Sequence, residues 1–235
     1  MKQKMKPADY LVAHRGDRAG GVENTLAAFA RAAAAGARFA ECDIQFTREF
    51  IPVVMHDHSL ARLCYKPATH ITKSTLPALT LACNSHFKLL TLNEMLLWLL
   101  TQPQLTMFVE IKPDISKRLS PVAVAALLAG LLPAHKRSQL VLISESGRIL
   151  DACKARFNCR TGWVDKGKQR PEHVPDYVFM PFTAVDTIPA WHAQGVQAGL
   201  YTINDSGIVA DMLAGGADLI ETDHYSRMLA DIDDA

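Results

Sequence analysis

Short runs of aliphatic, aromatic and β-branched residues alternate with helical patterns along the whole 235-residue chain. The candidate strands are 10–13, 39–46 with a continuation at 51–55, 106–111, 140–144, 161–164, 177–180, 198–203 and 219–221. Helical segments are predicted at 25–35, 92–101, 121–132, 146–157, 188–195 and 206–214. Eight strands that alternate with helical segments predict a closed (β/α)₈ TIM barrel. An open doubly wound sheet is disfavoured because no Gly-x-Gly-x-x-Gly follows the first strand.

The length of the chain fits one large α/β domain with a sizeable core. No linker, repeat or low-complexity stretch divides it, so we expect a single domain over residues 1–235. The segment 58–90 has no clear periodicity and contains Pro67 and Pro77, which predicts a short insertion between the second strand and its helix. Residues 165–175 are predicted to be a loop with at most one helical turn.

Composition narrows the class of partner and the compartment. A formal net charge of +1 gives no electrostatic reason to expect nucleic acid or an anionic membrane surface, so a small-molecule substrate fits better. The five cysteines are odd in number and scattered, which favours neither a disulfide framework nor a zinc site and indicates a reducing, cytoplasmic location. Residues 1–6 are basic but lack a following apolar region, and the apolar stretch 122–132 is shorter than the ~20 residues that span a bilayer. We therefore expect a solvated tail and no membrane anchor.

Two carboxylates one residue apart, Glu41 and Asp43, lie in a predicted strand. Side chains at i and i+2 of a strand share a face, so both acids point to one spot, where they repel unless a cation lies between them. Glu110 and Lys112 repeat this spacing. Hard oxygen ligands suit Mg²⁺ or Ca²⁺ better than zinc, so the pattern predicts one divalent cation held by Glu41, Asp43 and Glu110.

Two histidines, His14 and His56, each end an apolar run. In a (β/α)₈ barrel the functional residues lie at the carboxyl ends of the strands, where these histidines and the three acids all fall. Histidine titrates near neutral pH and both gives and takes protons, so His14 and His56 are the candidate general acid and base.

Five motifs follow one another in a recognisable order: His14-Arg15-Gly16, Glu23-Asn24-Thr25, Glu41-x-Asp43, His56-Asp57 and Glu110-Ile111-Lys112. Their order and approximate spacing resemble the glycerophosphodiester phosphodiesterase family. The likeness runs over 12–113 and resumes at 201–204 and 215–223.

The resemblance implies the same barrel and a metal-dependent hydrolysis of glycerophosphodiesters to glycerol 3-phosphate and an alcohol, within lipid and glycerol metabolism. It further implies that the three acids bind the metal and that one histidine deprotonates the attacking hydroxyl, of the substrate's glycerol or of water, while the other protonates the leaving alcohol. Arg15 and Lys112 are then cationic contacts to the phosphate, or else only neutralise the acids, and Tyr201 lies near the glycerol or the leaving group.

Three positions depart from the family pattern. Phe50 stands where a glycine usually supports a tight turn, Tyr201 where a tryptophan is common, and Glu145 where an aromatic residue usually follows the serine. These differences bear on the choice of alcohol more than on the reaction. Two rivals stay open: a relative on the same barrel that acts on lysophospholipids, and a non-catalytic phosphate-binding module. The short 58–90 segment favours small water-soluble diesters and a polar mouth.

Overall fold

A computed structural model of the protein describes residues 6–132 and 138–233. Its strands, in chain order, are β1 (Leu11–Ala13), β2 (Phe39–Phe46), β3 (Pro52–Val54), β4 (Ser59–Leu60), β5 (Lys66–His70), β6 (Thr106–Ile111), β7 (Leu140–Ser144), β8 (Arg160–Val164), β9 (Tyr177–Pro181), β10 (Gln197–Tyr201) and β11 (Leu219–Thr222). Its helices are α1 (Leu26–Ala34), α2 (Ala61–Cys64), α3 (Leu76–Cys83), α4 (Leu92–Leu99), α5 (Pro121–Leu131), α6 (Gly147–Phe157), α7 (Ile188–His192), α8 (Val209–Ala214) and α9 (Tyr225–Asp233).

The main sheet closes on itself. Its order is β1, β11, β10, β9, β8, β7, β6, β2, and β1 pairs in parallel with both β11 and β2, so that Ala13 lies between Thr222 and Ala40. The predicted (β/α)₈ barrel is confirmed. Each of these strands is parallel to its neighbours, which puts all eight of the described barrel strands' carboxyl ends on one face of the molecule.

The continuation predicted after the second strand folds back instead. Strand β3 pairs antiparallel with β2, with Phe46 opposite Pro52, and closes a hairpin. Phe50 takes a positive φ of 64° in the turn, the conformation that favours glycine, and the Arg118 guanidinium lies 4.3 Å from the centroid of its ring. Phe50 therefore adopts the backbone conformation that a glycine would take in this turn.

Aromatic and aliphatic side chains fill the inside of the barrel. Phe108 and Phe179 meet edge to face with their ring centroids 4.9 Å apart. A Cβ on Gly199 would lie 2.6 Å from the ring of Phe179, so glycine at that position makes room for the ring. This packed interior forms a floor beneath the carboxyl ends of the strands.

The segment 58–90 is more regular than its sequence predicts. It holds the β4–β5 hairpin, α2 and α3, and it buries a small apolar cluster of its own that includes Leu60, Ile71 and Leu79. Helix α3 begins at the N-cap Thr75, whose hydroxyl accepts a hydrogen bond from Ala78 N at 3.3 Å. Pro77 lies in the first turn of that helix, where a proline is tolerated, so it does not break the helix.

Several other local predictions can be compared with the structure. The loop at 165–175 is confirmed. The predicted helix 92–101 is α4, which begins with a capping box in which Glu94 accepts from Thr91 N at 2.9 Å. The predicted helix 206–214 is a 3₁₀ turn followed by α8, and α9 was not predicted. The predicted tail, except its last residue, and His135, which matches no motif, lie outside the described residues. Within the described ranges, no helix is long and apolar enough to cross a membrane.

Candidate active site

Three carboxylates converge at the carboxyl end of the barrel. Glu41 and Asp43 lie on β2, and Glu110 lies on β6 directly opposite Asp43 in the parallel register. One oxygen from each of the three lies within 4.8 Å of the other two. All three side chains are buried. The i, i+2 spacing places Glu41 and Asp43 on one face of β2, and the pairing of β2 with β6 adds Glu110. The three acids could hold a metal ion.

Two cations contact the acids. Lys112 Nζ lies 2.6 Å from Asp43 Oδ1 and 2.8 Å from Glu110 Oε1, and Arg15 Nε lies 3.1 Å from Asp43 Oδ2. Burial alone would raise the pKa of Asp43, but Lys112 and Arg15 hold it well below its usual range.

Glu41 has a different environment. Its Oε2 accepts from Arg15 N at 3.1 Å, whereas its buried Oε1 has no partner among the described residues. Burial, together with the nearby carboxylates of Asp43 and Glu221, raises the pKa of Glu41 well above its ordinary value. An orphaned buried carboxylate oxygen is costly unless a cation or a donor meets it, so Glu41 Oε1 fits the role of a metal ligand.

Asn24 fixes the orientation of Asp43. Its Nδ2 donates to Asp43 Oδ2 at 2.8 Å, and its Oδ1 accepts from Asp43 N at 3.2 Å. Asn24 N also donates to Arg15 O at 2.9 Å, and both residues have a positive φ. The β1–α1 loop thus carries Arg15 and Asn24 back onto the acids, while Thr25 caps α1.

His14 lies beside the acids, with its Nε2 4.0 Å from Glu41 Oε2. Its Nδ1 is 2.9 Å from Asp223 Oδ1. Asp223 follows β11, the neighbour of β1, and the bond to His14 helps to hold the pKa of Asp223 well below its usual range despite partial burial. No role was predicted for Asp223, although it ends the strand segment at 215–223 that carries the family resemblance.

His56 is paired in the same way. Its Nδ1 is 2.7 Å from Asp57 Oδ1, and its carbonyl accepts from Gln45 Nε2 at 3.0 Å. Asp57 is held in turn by Arg62, whose Nε donates to Asp57 Oδ2 at 2.7 Å. The pKa of His56 is lowered, mainly because burial disfavours the charged imidazolium.

A cavity of 130 Å³ opens between these groups. Its lining combines the polar site residues with apolar side chains from the barrel interior: His14, Arg15, His56, Glu110, Lys112, Ile143, Val164, Lys166, Phe179, Tyr201, Thr202 and Glu221. The two histidines, both cations and one of the three acids therefore face the same small space.

Glu221 and Lys166 were not predicted to line this cavity. Glu221 is 4% exposed, and burial raises its pKa to about 7. The sequence did offer a signal for Glu221, because it is an acidic residue within the apolar run of the last predicted strand, 219–221. Lys166 comes from the long loop after β8, which gives no sequence signal for its position.

Tyr201 also lines the cavity and is partly buried. Its hydroxyl donates to Asp165 O at 3.3 Å, and burial raises its pKa to about 12. Glu145, another of the three departures from the family pattern, lies at the mouth and forms ion pairs with Lys166 and Lys168.

A family model described as the Glycerophosphoryl diester phosphodiesterase family matches residues 14–227 of the chain. Glycerophosphodiester phosphodiesterase 1 of Homo sapiens is 48% identical over 62 residues, which make up 26% of this chain and 19% of that protein. This match therefore spans only a small part of the curated relative.

Solved structures resemble the chain over nearly its whole length. A glycerophosphodiester phosphodiesterase from Parabacteroides distasonis has a TM-score of 0.80 at 19% identity, covering 98% of this chain and 99% of the other. A phosphodiesterase from Oleispira antarctica, solved in complex with the product sn-glycerol-3-phosphate, has a TM-score of 0.77 at 22% identity, covering 95% and 96%. At these identities the likeness establishes the fold.

Proposed function

This chain belongs to the glycerophosphoryl diester phosphodiesterase family, and from that premise we propose that it hydrolyses glycerophosphodiesters to glycerol 3-phosphate and an alcohol. One observation carries the proposal: three buried carboxylates cluster at the carboxyl end of the barrel, beside a cavity that Glu110 lines together with two carboxylate-paired histidines. The product that the Oleispira antarctica structure holds is the acid part of such a diester.

We propose that Glu41, Asp43 and Glu110 hold one divalent cation, Mg²⁺ or Ca²⁺. The donor set is three hard oxygens, and one of them, Glu41 Oε1, is buried without a partner in the part of the chain that the structure describes. The three carboxylates are in contact with two cationic side chains, Arg15 and Lys112. If all five groups are ionised, the cluster carries one net negative charge. When bound, such a cation supplies Lewis-acid stabilisation of a phosphoryl oxygen.

Lys112 and Arg15 are proposed to bind the phosphate. Both side chains line the cavity, and Lys112 is nearly buried, so that its ammonium group faces the substrate in a region of low dielectric. The narrower alternative is that they only neutralise the acids. Tyr201 is proposed to contact the glycerol or the leaving alcohol through its ring, because its hydroxyl is bonded to the backbone.

His14 and His56 are proposed to be the general acid and base. Each is held through Nδ1 by a carboxylate, Asp223 for His14 and Asp57 for His56. This arrangement fixes the ring and leaves Nε2 of each imidazole for substrate. One takes the proton of the attacking hydroxyl, of glycerol or of water, and the other protonates the departing alkoxide. Attack by water gives glycerol 3-phosphate directly, whereas attack by the glycerol hydroxyl gives a cyclic phosphate that a water molecule then opens to glycerol 3-phosphate.

The surrounding features support three further proposals. Residues 1–235 are proposed to form one domain in which 58–90 is an insertion. The substrate is proposed to be a small molecule, since the catalytic cavity measures 130 Å³. A cytoplasmic location is proposed because the cysteines are odd in number and all buried, as is typical of proteins in a reducing compartment.

The experiment that tests this function is product identification with purified protein, Mg²⁺ or Ca²⁺, and a panel of glycerophosphocholine, glycerophosphoethanolamine and a lysophospholipid. We expect glycerol 3-phosphate and the free alcohol from the two small diesters. A kcat/KM about tenfold higher for the lysophospholipid, equal to about 1.4 kcal/mol of transition-state preference, would support the lipid-acting rival instead. Binding of glycerol 3-phosphate with no turnover of any substrate would support the non-catalytic module.

A further inference from the structure

We propose that the mouth beside His56 accepts leaving alcohols that carry a negative charge, and that Lys166 and Lys168 are the specificity-determining residues. This inference rests on the proposed function and adds the class of head group. It starts from a groove of 500 Å³ that adjoins the catalytic cavity.

The groove and the cavity are continuous. His56, Lys112 and Lys166 line both of them. The cavity is small and has apolar walls from the barrel interior, which fits a glycerol unit, whereas the groove is larger and lies on the His56 side. A diester with its phosphate at the acids would therefore extend its second alcohol past His56 into the groove.

The charges on the groove wall do not balance. Lys166 Nζ lies 2.7 Å from Glu145 Oε1, and Lys168 is bonded to the other oxygen of the same carboxylate. Glu145 is only 8% exposed, so it fixes both ammonium groups from below while they stay about half exposed. One carboxylate against two ammonium groups leaves an excess positive charge directed at the groove.

The other charged groups of the groove are already matched. Asp57 binds Arg62, which also binds the buried Glu23. Lys112 is paired with two of the three acids, and Asp114 lies 2.6 Å from Lys117 Nζ. Lys166 and Lys168 therefore supply the unbalanced charge among the described residues of this wall.

The groove also lacks the features that bind quaternary ammonium groups. Such ligands are held against the faces of Trp, Tyr or Phe. Among the described residues that line the groove none is of these types. A carboxylate or phosphate on the leaving alcohol fits this wall better than choline does.

The test compares kcat/KM for glycerophosphoserine, whose head group adds a carboxylate, with kcat/KM for glycerophosphocholine at low ionic strength. We expect the wild-type protein to prefer glycerophosphoserine by about tenfold, and the preference to fall as salt rises. In the double variant K166Q/K168Q the preference should fall to about twofold or less, through loss of kcat/KM for glycerophosphoserine. The charge-conserving variant K166R/K168R should keep the preference of the wild-type protein for glycerophosphoserine.

Lys154→Gln is the matched control. Lys154 Nζ lies 3.6 Å from Asp176 Oδ2, and Asp176 bonds Thr161 N near the amino end of β8, on the opposite face of the barrel. This variant should keep the wild-type preference. A wild-type preference for glycerophosphocholine, or an unchanged preference in K166Q/K168Q, would overturn the inference while leaving the proposed function intact. Failure to hydrolyse either diester would overturn both.

Discussion

Each of the two cavity histidines shares its Nδ1 with a carboxylate, and this pairing shapes what a single residue can do in the site. Asp223 lies 2.9 Å from His14, and Asp57 lies 2.7 Å from His56. A histidine held in this way keeps one tautomer and presents Nε2 in a fixed direction. The pairing therefore supports an acid–base role better than the positions of the histidines alone.

Replacing either histidine tests that role. We expect His14→Ala and His56→Ala each to lower kcat by about 10² to 10⁴, the range for loss of a general acid or base, and to leave the far-UV circular dichroism unchanged. The matched control is His86→Ala, since His86 is exposed and outside the cavity. Near-wild-type turnover in a variant would remove that histidine from the mechanism.

The pH dependence of kcat/KM follows from the environment of His56. Burial lowers the pKa of His56 below its ordinary value of 6.5, so the imidazole stays neutral, and able to accept a proton, at lower pH than usual. If His56 is the base, the acid limb of the profile should lie below 6.5.

The hydrogen bond that the His56 ring donates to Asp57 opposes this shift and raises the pKa of His56. Asp57→Asn should therefore move the acid limb to still lower pH, whereas Asp114→Asn, on the same groove but without a bond to His56, should not move it. An acid limb that moves upward in Asp57→Asn would contradict this account.

Single residues were predictable from the sequence where the chemistry is local. The pairing of Glu41 and Asp43 could be predicted because side chains alternate between the two faces of a strand, so residues i and i+2 lie on the same face. Glu221 and Asp223 were not assigned roles because they come beside His14 only when β11 pairs with β1. Lys166 depends on the course of a long loop, which has no periodic signal.

At the scale of elements, the sequence predicts the barrel strands within one or two residues because each is a short apolar run with clear breaks. It misses α3 and α9 for different reasons. Helix α3 contains Pro77, and a proline usually predicts the end of a helix. Here Pro77 lies in the first turn, where a proline is tolerated. Helix α9 buries two side chains, Tyr225 and Met228, so few apolar positions mark it in the sequence.

The β1–α1 loop, which carries Arg15 and Asn24, depends on one glycine. Gly16 has φ +82°, and an added Cβ would lie 2.7 Å from Ala28 at the start of α1. Gly16→Ala should therefore lower the free energy of unfolding by about 2 to 4 kcal/mol, from backbone strain and overpacking together.

The control for this change is Gly36→Ala. Gly36 has φ +85° but no atom within 4 Å of the added Cβ, so only the backbone cost of about 1 to 2 kcal/mol applies. Urea unfolding of both variants measures the difference. Equal destabilisation would show that the contact with Ala28 is unimportant.

On the scale of the whole molecule, closure of the barrel is what assembles the site. The acids come from β2 and β6, His14 follows β1, His56 follows the β3 arm, and Asp223 follows β11. These elements are far apart in the chain, and the parallel register brings their ends to one face. Below that face, packed aromatic and aliphatic side chains fill the described interior of the barrel.

The carboxylate cluster is proposed to bind a divalent cation that the hydrolysis of glycerophosphodiesters requires. The most direct measurement is release of glycerol 3-phosphate from glycerophosphoethanolamine before chelation, after chelation, and after titration with Mg²⁺ or Ca²⁺. We predict that chelation abolishes turnover, that one of the two ions restores it, and that Glu110→Gln lowers turnover at the restoring concentration by at least about 100-fold, whereas the exposed Glu172→Gln does not. Full turnover in the chelated protein, or in Glu110→Gln without added metal, would contradict the account.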